Sequence, residues 1–155
     1  MSELKTDVTV EELSPQTVGY VRSTGSFQGN PAFFADLWGR LMRWAAPRGL
    51  AGGEMMCIYH DSPGVTEADK MRVSACVPLP EGVDVSGEVG KLTVAGGAYA
   101  IARFRLGPSE YAAAWQAVFG GWLPQSGYVP DDRPSFERYH GPADAQGRRA
   151  VDICV

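Results

Sequence analysis

Hydrophobic residues fall into two helical stripes along this chain. From position 31 to about 46, Phe34, Leu37, Trp38, Leu41, Met42 and Ala45 recur at the spacing of one helix face. From 108 to about 123, Tyr111, Ala114, Trp115, Val118, Phe119 and Trp122 do the same. Pro108 follows Pro31 by 77 residues, as Trp115 follows Trp38 and Phe119 follows Met42. Each proline sits near the first turn, where a missing N–H matters least.

Alternation at period two predicts strands on both sides of each helix. Residues 17–22, ending near Gly25, precede the first helix; 55–60 and 71–77 follow it. Residues 98–104, ending near Gly107, precede the second; 135–140 and 150–155 follow it. Each half is therefore strand, helix, strand, strand. A lone βαββ unit leaves one sheet face uncovered, whereas two side by side bury a larger core and leave a groove. The pattern predicts an α+β fold of tandem duplicated βαββ modules with antiparallel sheets. Module one covers about 7–80 and module two about 90–155, within a single domain over 1–155.

Turn formers support this division. Asp61, Ser62, Pro63 and Gly64 follow a predicted strand. Pro124 to Gly127 ends the second helix, and 130–134 leads into the next strand. Asp84, Gly87, Gly90, Gly96 and Gly97 mark the joint between modules, where Val85, Val89, Leu92 and Val94 can add a short edge strand.

Composition then narrows the function. A hydrophobic share of 45% and a charged share of 21% suit a folded domain rather than a disordered one. The net charge of −4 and the lack of any basic run argue against direct nucleic-acid binding. No apolar stretch reaches the roughly 18 residues of a membrane span, and residues 1–5 lack the apolar core of a signal peptide. Cys57, Cys76 and Cys154 are odd in number and scattered, as reduced thiols in a cytoplasm would be.

Most familiar chemistry is missing. The Gly96-Gly97 pair is no phosphate-binding loop, and no nucleophile elbow occurs. His60, Asp61 and His140 lack a nearby third ligand, so neither metal nor cofactor is expected. Aromatic residues remain. Trp38 and Trp115 lie mid-stripe, where packing a helix on a sheet explains them; Trp115, Trp122, Tyr99 and Tyr59 also suit a groove lining. Glu137 belongs to the same set, because alternation over 135–140 puts Ser135, Glu137 and Tyr139 on one face. Glu137 is thus either a solvated charge or the anionic floor of a pocket.

Five motifs resemble those of the GyrI-like proteins, also called SbmC-like or AraC-type effector-binding domains. They are Ile58-Tyr59-His60-Asp61-Ser62-Pro63 with Lys70-Met71-Arg72, Gly96-Gly97-Ala98-Tyr99-Ala100 with Gly107, Trp122-Leu123-Pro124-Gln125-Ser126-Gly127, Phe136-Glu137-Arg138-Tyr139, and Val151-Asp152-Ile153. They run in the family's order and spacing over nearly the whole chain. Two departures stand out: His60 replaces a second Tyr, and the chain stops at Val155 where relatives continue with a Pro and a few residues.

The resemblance implies pseudo-twofold symmetry and a ligand groove between the modules. It implies that Glu137 contacts amphipathic, cationic or aromatic compounds, with Tyr139, Tyr59 and Tyr99 beside it. Trp115 and Trp122 extend that set from the helix pattern. The resemblance implies one of three functions: a stand-alone drug or toxin binder; a hydrolase of cyclopropane-bearing toxins using Glu137, Tyr59 and Tyr99; or an inhibitor of DNA gyrase. About 16 residues precede the first predicted strand, too few for a helix-turn-helix, so regulation of transcription would need a partner.

Overall fold

The computed structural model describes residues 7–27, 29–51, 54–61 and 65–155. The predicted turn at Ser62, Pro63 and Gly64 lies outside them. In chain order the elements are β1 (Asp7–Leu13), β2 (Gln16–Thr24), α1 (Pro31–Ala45), β3 (Met56–Tyr59), β4 (Arg72–Pro78), β5 (Gly90–Val94), β6 (Gly97–Leu106), α2 (Tyr111–Gln116), α3 (Leu123–Ser126), β7 (Ser135–His140) and β8 (Arg149–Cys154). A π-helical turn, Ala117–Trp122, joins α2 to α3.

Local chemistry explains α1. The Asn30 side chain accepts the Phe33 N–H at 3.2 Å, satisfying one of the free first-turn donors, and Pro31 stands next to it at the first helical position. The apolar stripe then buries Leu37, Leu41, Trp44 and Ala45 against the sheet. Leu37 and Leu41 are fully buried, so truncating either to Ala costs about 2–5 kcal/mol.

The second helix departs from its predicted regularity. It starts at Tyr111 rather than Pro108, and its middle widens into the π turn around Gly120 and Gly121, two poor helix formers. Such a turn inserts one residue, which rotates the rest of the helix by about 100° about the axis. Val118 stays buried, but Phe119 is 38% exposed. Trp122 leaves the stripe and stacks on Tyr128, ring centres 6.1 Å apart. Gly127, at φ 80°, closes the segment in the left-handed conformation.

The described strands form one antiparallel sheet in the order β1-β6-β8-β7-β3-β4-β2-β5. Only Ser14 and Pro15 join β1 to β2, although these strands are first and seventh in that order. The sheet must therefore curl until its edges approach. Strand β5 is the short edge strand expected in the joint, and it pairs with β2. Strand β1 was absent from the sequence pattern; it pairs with β6, where Arg103 binds Thr9 and Glu11.

The curl gives the sheet two different faces. Both helices cover the outer one: α1 packs on Val21, Cys57, Val73, Ala75 and Val77, and α2 packs on Ala102, Phe104, Leu106, Val151 and Ile153. Inside the curl, Val18, Met56, Ile58, Cys76, Tyr99, Ile101, Phe136 and Cys154 form a separate core. Tyr139 packs against both helix-covered clusters, which places it between α1 and α2. Among the described residues no helix is long and apolar enough to cross a membrane.

Candidate functional site

Strands β3 and β7 meet at the middle of the sheet, and Cys57 faces Glu137 across their ladder. Two residues further along each strand come Tyr59 and Tyr139, on the same outer face by the period-two rule. Glu137 is 1% exposed. The solvated-charge reading of this carboxylate is thereby excluded.

Three donors converge on it. Its Oε1 accepts the Tyr59 hydroxyl at 3.1 Å and the Tyr139 hydroxyl at 2.5 Å, and its Oε2 accepts the Trp115 indole N–H at 2.6 Å. Rings close around them edge to face: Trp115 meets Tyr59 at 5.2 Å, and Trp38 meets Tyr139 at 5.9 Å. Phe27 tilts against Tyr59 at 5.7 Å, and Phe119 stacks on Trp115 at 5.8 Å. A carboxylate so placed lies in an aromatic cage with both oxygens hydrogen-bonded.

Burial dominates the electrostatics. It pushes the Glu137 carboxyl above its ordinary value, while the bonds from Tyr139, Trp115 and Tyr59 pull the other way. The same burial, then the charges of Cys57 and Glu137, lifts the Tyr59 and Tyr139 hydroxyls well above theirs, so both remain donors. The Cys57 thiol is also driven well up, by burial and by the Glu137 charge, which keeps it un-ionised and a poor nucleophile. Among the described residues no ion pair joins Glu137 to a Lys or Arg. No cluster of three or more metal-ligating side chains occurs among them either.

The residues singled out from sequence divide here. Glu137, Tyr59, Tyr139 and Trp115 come together in one hydrogen-bonded group. Tyr99 does not join them: it lies inside the curl against Phe136, bonds the Ala95 carbonyl at 2.7 Å and lies under Arg133. Trp122 is also apart, turned away by the π turn. Trp38, assigned on its stripe position to helix packing, does pack and also forms the wall behind Tyr139. Its 77-residue correspondence to Trp115 was the signal that could have found it.

The GyrI-like small molecule binding domain description matches residues 6–155. This chain belongs to that family. A DNA gyrase inhibitor of Edwardsiella piscicida is 34% identical over 155 residues, 96% of each chain. Two solved structures share the fold. EcmrR, in its complex with DNA, gives a TM-score of 0.70 at 13% identity, covering 96% of this chain and 56% of that one. SAV2435 bound to tetraphenylphosphonium gives 0.64 at 15% identity, covering 96% of this chain and 92% of that one.

Proposed function

We propose that this GyrI-like domain binds small lipophilic cations at Glu137, in a groove between two duplicated βαββ modules spanning about 7–80 and 90–155. The observation that carries the reading is a buried carboxylate held by three aromatic donors, with no cationic side chain paired to it among the described residues. A buried anion costs several kcal/mol without a counter-charge. A ligand cation supplies that charge, and each nearby ring adds about 0.5–2 kcal/mol of cation–π attraction. Trp115 and Phe119 lead from the half-exposed surface to Oε2, so a ligand takes the place of the indole N–H. The fold shared with a protein bound to tetraphenylphosphonium supports the choice of ligand class.

Titration with tetraphenylphosphonium, followed by tryptophan emission, tests this reading. Saturable quenching is expected in the wild type, with affinity at least about tenfold weaker in Glu137→Gln, a loss of ~1.4 kcal/mol. Equal affinities would overturn it.

A second reading, inhibition of DNA gyrase, is favoured by the name of the relative that is 34% identical over 96% of both chains. A supercoiling assay with stoichiometric protein tests it, and undiminished supercoiling removes it for the gyrase assayed.

A further inference from the structure

A cavity of about 160 Å³ lies inside the curl, on the opposite side of β7 and β3 from Glu137. Its walls come from places far apart in sequence: Leu13 from the end of β1, Ser14 from the β1–β2 link, Gln16 from the start of β2, Met56 from β3, Val94 and Ala95 at the end of β5, and Phe136 and Arg138 from β7. It forms where the two sheet edges approach, so it is a product of the curl itself. By the alternation of β7, Phe136 and Arg138 flank Glu137 in sequence and point to the other face.

Leu13, Met56, Val94, Ala95 and Phe136 form the apolar part of this wall, and Ser14, Gln16 and the Arg138 guanidinium form its polar part. Arg138 Nη2 donates to the buried Asp152 at 2.9 Å, and its Nε is sealed from water 3.8 Å from Glu54. Nη1 makes no hydrogen bond among the described residues. Asp152 and Glu54 already offset the charge of Arg138, so a second anion would meet two carboxylates. The remaining Arg138 donor, Nη1, therefore suits a neutral acceptor on a ligand rather than an anion. As to size, an apolar cavity of about 150 Å³ in another protein accommodates benzene.

We propose that this inner cavity is a second binding site, for a neutral single-ring molecule bearing one hydrogen-bond acceptor. The ring lies among Leu13, Met56, Val94 and Phe136, and the acceptor oxygen takes the Arg138 Nη1 donor. The site is independent of the Glu137 cage and holds a different chemical class.

Methyl NMR of the full chain tests it, with methionine methyls labelled and acetophenone and ethylbenzene as probes. Met56 is expected to shift saturably with both, acetophenone binding at least about fivefold more tightly. In Arg138→Met that preference disappears. Ala95→Trp, a substitution at an exposed position of the wall that leaves the Arg138 ion pair intact, abolishes the Met56 shift. Glu137→Gln leaves it unchanged, which separates this site from the cation site. No saturable Met56 shift in the wild type, or an undiminished one in Ala95→Trp, overturns the proposal.

Discussion

Tyr59 and Tyr139 place their hydroxyl groups on the same oxygen, Oε1 of Glu137, at 3.1 and 2.5 Å. They reach it from adjacent strands, each two residues beyond the Cys57–Glu137 pair. Either hydroxyl alone can satisfy that oxygen in part, but removing both leaves half of a buried carboxylate without a donor.

The first prediction is therefore non-additivity. Tyr59→Phe and Tyr139→Phe should each destabilise the protein by about 1.5–3 kcal/mol at most, as expected for a bond to a charged group. The double variant should lose more than their sum, with a coupling of about 0.5–3 kcal/mol. Urea unfolding of the four proteins at pH 7 completes the cycle. Additive losses would show that the two hydroxyls act separately.

Trp115 serves the other oxygen by itself. Trp115→Phe keeps a ring against Tyr59 but removes the N–H, so Oε2 is left unsatisfied at a cost of about 1–3 kcal/mol. The loss should shrink at low pH, where a protonated carboxyl asks less of its donors. Unfolding at pH 7 and at pH 4 makes the comparison, and an equal loss at both values would sink the assignment.

Much of this cage was legible in the chain. Alternation over Ser135 to His140 gave the strand with its observed bounds and put Glu137 and Tyr139 on one face. What alternation cannot supply is the relation between faces of different strands. Tyr99 belongs to β6, and only the β6–β8–β7 register decides that it lies opposite Glu137. Trp122 failed for another reason: the stripe was extrapolated at 3.6 residues per turn through Gly120 and Gly121, where the helix widens. Strand β1 was hidden because Asp7, Glu11 and Glu12 make its sequence polar, and its partners lie some 90 residues away in β6.

Glu137 should also set a pH dependence of known sign. Its folded value lies above the ordinary 4.5, because burial disfavours the anion. Between the ordinary and the raised value the native state binds more protons than the unfolded chain, so stability falls as pH rises through that window. Glu137→Gln removes the titration. The wild type should lose stability relative to this variant as pH is raised from 4.5, as urea unfolding at a series of pH values would show. A difference that stays flat, or that runs the other way, would contradict the assignment.

His60 should act in the opposite direction. Its Nε2 lies 2.7 Å from the buried Ser74 Oγ, which already accepts the Arg22 Nε–H at 3.1 Å. The two groups share one hydrogen bond whose direction follows the imidazole tautomer. Burial, then the charges of Arg22 and Arg72, brings its folded value from 6.5 down to about 4. Between those values the unfolded chain binds the extra proton, so this contribution is complete above pH 6.5 and is lost as pH falls toward 4. Because His60 is only half-buried, solvent screening trims the effect. The proton on the carbon between the two ring nitrogens, followed by NMR, should titrate near pH 4, and His60→Gln should flatten the unfolding profile between pH 6.5 and 4. A midpoint close to 6.5 would mean that burial and the two guanidinium charges do not hold the ring neutral.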